Sequence, residues 1–304
     1  MPCDETFFGE LTKAHRTNQF AMEARKRADL SLGALLRTQL GWTLAKPAEE
    51  RKAIAEQAAD LIATGEKLLK WEERLAKKPD SKAKPPEGLS EPVFQEWQQV
   101  IMAALRGRLP MSMLEDDAAA RMDEMAEQLP VAGWWKENVF SGSLTSLARI
   151  TAEVGDFTKY PTIAKVWKRM GLAVMGDVRQ GGLAKGAKAE AWISHGYSPK
   201  RRAIMYVIGG SLIKQNEHYH GIYLAEKERQ RAKAEDEGLI VAPSATIPDK
   251  RKAEFRSDGH VHKRAQRYME KRLLRDLWVA WQAEAKVAVK PICVLPPHPI
   301  SEAA

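Results

Sequence analysis

Three patterns in this 304-residue chain gather side chains capable of chemistry. Ser194 stands beside His195, a nucleophile next to a base. His218 and His220 form one His-x-His pair, and His260 and His262 form another. The run Ser198-Pro199-Lys200-Arg201-Arg202 packs three cations behind a serine and a proline. A nucleophile needs its base within hydrogen-bond reach, and adjacency along the chain does not supply that geometry. Two histidines spaced i, i+2 on a helix point well apart, which does not suit chelation of zinc. No catalytic residue and no metal ligand is therefore assigned. The carboxylates Asp116 and Asp117 lie in an Ala-rich helical stretch and read as solvated. Trp134 and Trp135 could stack on bases, but paired tryptophans at a junction read as core.

The third pattern carries further. Ser198 suits an N-cap, because its hydroxyl can accept from a backbone N–H one turn on. Pro199 then falls at the first helical position, where its missing N–H costs nothing. Lys200, Arg201 and Arg202 crowd the first turn, where the helix dipole already presents partial positive charge. Each cation is disfavoured there by roughly 0.3–1 kcal/mol. A helix start with free N–H groups and three cations is a ready site for a phosphate.

Charge supports a polyanion partner. Lys and Arg number 48 against 40 Asp and Glu, a net charge of +8. Residues 1–150 hold 21 basic and 23 acidic side chains, whereas residues 151–304 hold 27 and 17, so the excess sits in the second half. Such asymmetry suggests that the second half meets a polyanion; a membrane surface is the competing one, but no long basic amphipathic anchor is evident. Cys3 and Cys293 show no zinc-finger or disulfide spacing. The first residues lack a cationic start followed by an apolar run, and Ala203–Ile213 is far shorter than the roughly 20 residues a membrane span needs. A cytoplasmic protein with no membrane partner is expected.

The elements that must position these residues read as helices. Residues 1–78 form a helical N-terminal region, with an apolar stripe of Ile54, Ala58, Leu61, Ile62, Leu68, Leu69 and Leu75. Residues 79–89 have linker composition. Residues 90–133 read as a helical connector of two helices, one carrying Phe94, Trp97, Ile101 and Leu105, the other Met111–Leu129. Ser141-Gly142-Ser143 is a tight turn between helices, a helix-hairpin-helix shape whose N–H groups can hold a DNA phosphate. Glycine-rich residues 171–186 carry Arg179, Gln180 and Lys185. Tyr219–Glu237 reads as a charged, solvated helix, and Leu239–Asp258 as loop. A long helix to about Ala285 carries Lys263, Arg264 and Arg267 behind a core face of Leu273, Leu274, Leu277, Trp278 and Trp281. Residues 286–304 are a Pro-rich tail. No convincing strand run is present, so a mostly α fold is predicted.

Three pieces in order resemble the C-terminal domain of insertion-sequence transposases of the IS-110/116/902 group, over residues 135–282. They are the hairpin ending in Ala152-Glu153-Val154-Gly155-Asp156; Tyr160-Pro161, Gly171-Leu172-Ala173 and Gln180-Gly181-Gly182; and Gly196 leading to Arg201-Arg202-Ala203. A closing basic helix with Leu273-Leu274 also fits. The resemblance implies a transposase-like DNA-binding domain over residues 134–285, acting in transposition or recombination. The chain departs from the family at three points. Ser141 and Ser143 flank Gly142, where the family has two glycines flanking one residue. Gly181 stands where the family's catalytic serine is expected. Residues 1–130 show no strands of the family's nuclease domain and no quartet of acidic metal ligands.

The reading is therefore a DNA-binding protein of the transposase type without a complete catalytic site of its own. Its DNA contacts are expected at Gly142, Ser143, Lys168, Arg169, Arg179, Gln180, Lys185, Ser198, Lys200, Arg201, Arg202, Lys263, Arg264 and Arg267. Structured RNA is an alternative partner, and the N-terminal helices offer a route to a homo-oligomer. No cofactor is expected, Mg²⁺ entering only with an active nuclease. Two alternatives stand beside this. One is an active recombinase using other residues or a partner's nuclease. The other is a phage-derived helical assembly protein whose basic face binds an acidic protein.

Overall fold

The computed structural model describes residues 4–140, 144–175, 178–181, 183 and 186–285, and these are mostly α-helical. They divide into two compact units, residues 14–120 and residues 1–13 with 121–304.

In the first unit, the helices α1 (Glu5–Gln39), α2 (Ala48–Lys77) and α3 (Pro92–Ala126) contribute. Leu32 and Leu36 of α1 meet Ala58, Leu61 and Leu68 of α2 and Phe94, Ile101, Met102 and Leu105 of α3 in one core. The close approach of α2 to α3 runs over Gly65, where a Cβ would fall 2.5 Å from Ile101 Cγ2. Arg108 bridges Asp29 and Glu66 above this core. The linker is tied down, since its Ala83 carbonyl accepts from Trp71 Nε1 at 2.9 Å. One expectation fails here: α3 is a single helix, not two, and passes through Pro110. An interior proline removes one helical hydrogen bond and costs about 3 kcal/mol or more. Apolar packing before it (Ile101, Met102, Leu105) and after it (Ala118, Met122) offsets that cost.

The second unit is organised around α10 (Asp258–Glu284), capped by Ser257, whose side chain accepts from the His260 N–H. Val261, Ala265, Met269, Leu273, Leu277 and Trp281 recur at steps of four, and all are buried. Against this face pack α8 (Pro199–Gln215), α9 (Glu217–Asp236) and α6 (Ile163–Arg169). Phe157 stacks on Trp281 with centroids 4.9 Å apart, and Trp278 Nε1 donates to the Tyr160 carbonyl at 3.0 Å. Before these come α4 (Ala132–Asn138) and α5 (Thr145–Val154), with Trp135 fully buried. The turn at Ser141, Gly142 and Ser143 lies outside the described residues, as do Lys185 and the tail after Ala285.

Two short strand pairs were not anticipated. Val174–Met175 (β1) and Val178–Arg179 (β2) pair antiparallel. Ile240–Ala242 (β3) and Phe255–Ser257 (β4) pair in parallel across a stretch read as loop. Runs of two or three residues are too short to show an alternating pattern. The helix α7 (Ala189–His195) ends at Gly196, whose φ of 69° closes it in the left-handed region.

Candidate nucleic-acid interface

The start of α8 forms as its sequence requires. Ser198 Oγ accepts from the Arg201 N–H at 3.4 Å, and Pro199 occupies the first helical position. The three cations that follow do not act as one cluster. Lys200 is exposed. Arg201 donates from Nε to Glu153 Oε2 at 3.0 Å and from Nη1 to the Arg169 carbonyl at 3.1 Å. Arg202 turns inward and sets Nη1 2.9 Å from Glu270 Oε2, with the Glu270 side chain fully buried. Burial pushes the Glu270 carboxyl up to about 7, against the opposing pull of Arg202 and Arg267. The charges are close, but Arg202 Nη1 and both Glu270 oxygens are buried without a well-directed hydrogen bond. Two of the three cations expected to face a phosphate are thus engaged with carboxylates of the same chain.

The second row of cations is arranged differently. Lys263, Arg264 and Arg267 of α10 line an open groove of about 660 Å³ together with Arg179 of β2, Arg229 of α9 and Lys271 of α10. No Asp or Glu lines it. The spacing 263, 264, 267, 271 keeps the α10 cations on one helical face. Their anchors are mostly neutral. Arg264 Nη1 donates to Gln230 Oε1 at 3.2 Å, and Arg267 Nη2 donates to the carbonyls of Gly171 and Ala173 at 3.2 and 3.1 Å. Lys271 Nζ sits 4.9 Å above the Trp167 ring. Arg229 is held by a carboxylate, donating to both oxygens of buried Glu226 while lying over the Tyr268 ring.

Burial and the groove's own cations both disfavour charge on the groups that line it. Burial lowers the Arg267 guanidinium from its ordinary value, and the neighbouring Arg202 and Arg179 lower it further against Glu270. Burial and Arg267 lower the Lys271 ammonium. Burial, followed by Arg264, Arg256, Arg179 and Lys263, lowers His260 on the groove wall. Cations crowded closely enough to depress one another favour an anion among them.

Lys168 and Arg169 lie elsewhere, in a smaller cavity of about 400 Å³ on the other side of α6, with Lys165 and Arg201. Gln180 is 2% exposed, so its place is inside the fold rather than on a surface. Its Oε1 accepts from the Ala173 N–H at 3.4 Å and its Nε2 donates to the His195 carbonyl at 3.1 Å. His195 Nε2 meets the Gly181 carbonyl at 2.7 Å, which requires that nitrogen to donate. Ser194 Oγ donates to Ala191 O, so this serine and histidine do not pair. His262 Nδ1 lies 2.8 Å from Tyr223 Oη, while His260 is on the groove. Among the described residues, no three His, Cys, Asp or Glu side chains gather as a metal ligand set, and no helix is long and apolar enough to cross a membrane.

Sequence reasoning missed Arg229, Lys271 and Lys165. Lys271 follows Arg267 by four residues, a signal that was present. Arg229 was hidden in a helix read as evenly charged, and it points to the groove because Glu226, three residues before it, is buried. No protein-family model matches the chain, and no match was found among curated proteins or solved structures.

Proposed function

We propose that this protein binds nucleic acid through the groove between α9, α10 and the β1–β2 hairpin, gripping the phosphate backbone. The observation that carries this is six cations lining one open groove without a carboxylate among the lining residues. Backbone phosphates are the polyanion with a repeat dense enough to meet several such cations at once. Contacts of this kind position a protein without reading sequence, so weakly selective binding follows. The basic, helical second unit is also the stretch that resembles the insertion-sequence transposase domain, and a role in DNA transposition or recombination is the finer form of the proposal.

Fluorescence anisotropy with a labelled DNA duplex across a salt series tests it. Binding is expected to weaken log-linearly with salt, with a slope of about −0.9 per phosphate neutralised. The charge-reversal pair Lys263→Glu and Arg264→Glu is expected to abolish binding with the helical circular dichroism unchanged. Wild-type binding that ignores salt, or a variant that binds as the wild type does, overturns the proposal.

A further inference from the structure

The smaller cavity differs in kind from the groove. Its wall carries Lys165, Lys168 and Arg169 from α6, and three aromatic side chains: Tyr160, Trp192 and Tyr197. Lys168 Nζ donates to the Ser194 carbonyl at 3.3 Å, and Arg169 Nε donates to the Glu153 carbonyl at 2.7 Å. Both anchors are neutral carbonyls. The Glu153 carboxylate is directed at Arg201. Lys165 has no polar partner among the described residues and is exposed. Trp192 is half-buried, next to an Ile193 that is 80% exposed. Ring faces beside cations are what an unpaired nucleotide needs, since the base stacks while the phosphate pairs. A duplex offers no free base face to such a cavity.

The two cavities have no lining residue in common, but contacts through α6 and Gly171 link them. From α6, Lys168 faces the smaller cavity while Trp167 supports Lys271 of the groove. Tyr197 packs where a Cβ on Gly171 would lie 3.2 Å from its ring, and the Gly171 carbonyl accepts from Arg267. Tyr197 is also close enough to Arg267 to act on its charge. Arg267 of the groove and Tyr197 of the smaller cavity thus meet at Gly171, the link between the two spaces.

We propose that the cavity lined by Trp192, Tyr197, Lys165 and Lys168 takes an unpaired nucleotide of a nucleic-acid strand whose backbone lies in the groove. This rests on the groove reading and adds the form of ligand: a duplex with a single-stranded end or bulge, rather than an uninterrupted duplex.

The test compares a blunt duplex, the same duplex with a three-nucleotide overhang, and that overhang with abasic nucleotides, each by anisotropy on the full chain. The wild type is expected to prefer the overhang, and the abasic overhang is expected to fall back to the blunt value. Trp192→Ala is expected to lose the preference by about ten- to a hundred-fold while leaving blunt-duplex affinity unchanged. Trp192→Phe, which keeps a ring face, should restore most of it. An abasic overhang that binds as well as the intact one, or a Trp192→Ala variant that keeps the preference, overturns the inference. Failure of the groove reading is separate, because it appears in the Lys263→Glu, Arg264→Glu pair on the blunt duplex. An overhang of ribonucleotides in place of deoxyribonucleotides is expected to bind comparably, since neither stacking nor charge pairing uses the 2′ position.

Discussion

Arg202 Nη1 stands 2.9 Å from Glu270 Oε2, with the arginine side chain 19% exposed and the glutamate not at all. A helix start that reads as a phosphate site from sequence is therefore also a brace between α8 and α10. Breaking a buried pair by removing one partner leaves the other charge without compensation, at a cost of about 3–5 kcal/mol. Arg202→Ala is expected to lower the urea midpoint sharply, whereas Lys200→Ala, at an exposed position, should shift it little. Equal, small shifts in both variants would show the pair to be dispensable.

Glu270 also gives the fold a pH dependence of definite sign. Its folded value, about 7, lies above the ordinary carboxylate value. Between roughly 4.5 and 7 the folded state holds a proton that the unfolded chain has released, so stability falls as pH rises through that window and levels off above it. Arg202 and Arg267 face the carboxyl from α8 and α10, and Gln266 lies beside it, donating to the Tyr206 carbonyl at 2.8 Å. The stability difference between wild type and Glu270→Gln, followed by denaturant unfolding from pH 5 to pH 8, is expected to move against the wild type by up to about 3 kcal/mol. A pH-independent difference would mean the carboxyl titrates normally.

His260 offers a probe of the groove. Burial, and after it the surrounding cations, hold its pKa below the ordinary histidine value. A bound polyanion cancels that field, so the pKa should rise on binding, and binding should take up protons and strengthen as pH falls through the histidine range. Histidine ring resonances titrated with and without a DNA duplex read this directly. A His260 titration that the duplex leaves unmoved would place the ligand elsewhere.

Gly209 tests how closely α8 lies against α10. A Cβ there would fall 2.8 Å from both Gln266 Nε2 and Glu270 Oε1. Gly209→Ala is expected to destabilise by about 1–3 kcal/mol despite the better helix propensity of alanine, because overpacking prevails at a buried site. Gly210→Ala is the control. Its Cβ would meet nothing within 4 Å, so it should be neutral or stabilising. Thermal unfolding of the two variants distinguishes them.

The helices were legible in the sequence because their signals are local. The α8 cap at Ser198 and the steps of four along α10 from Val261 to Trp281 each lie within a few turns. What was not legible depends on partners far along the chain. Nothing near Arg201 or Arg202 announces Glu153, 48 residues before the first, or Glu270, 68 residues after the second. Without those carboxylates, a triple alanine substitution at 200–202 looks like a clean binding test. With them, it removes a brace and confounds affinity with folding. The groove was half legible, since Lys263, Arg264 and Arg267 share a helix face, while Arg179 and Arg229 arrive from other elements. The break expected before Met111 is absent because apolar packing continues on both sides of Pro110.

The short helix α6 stands between both cavities, with Trp167 under the groove's Lys271 and Lys168 in the aromatic-lined space opposite. Of the two ammoniums only Lys168 is carried by α6, while Lys271 belongs to α10 and meets α6 through the Trp167 ring. Any coupling between ligands on the two flanks has these seven residues as its route, and thermodynamic reciprocity then requires each ligand to change the other's affinity by the same factor.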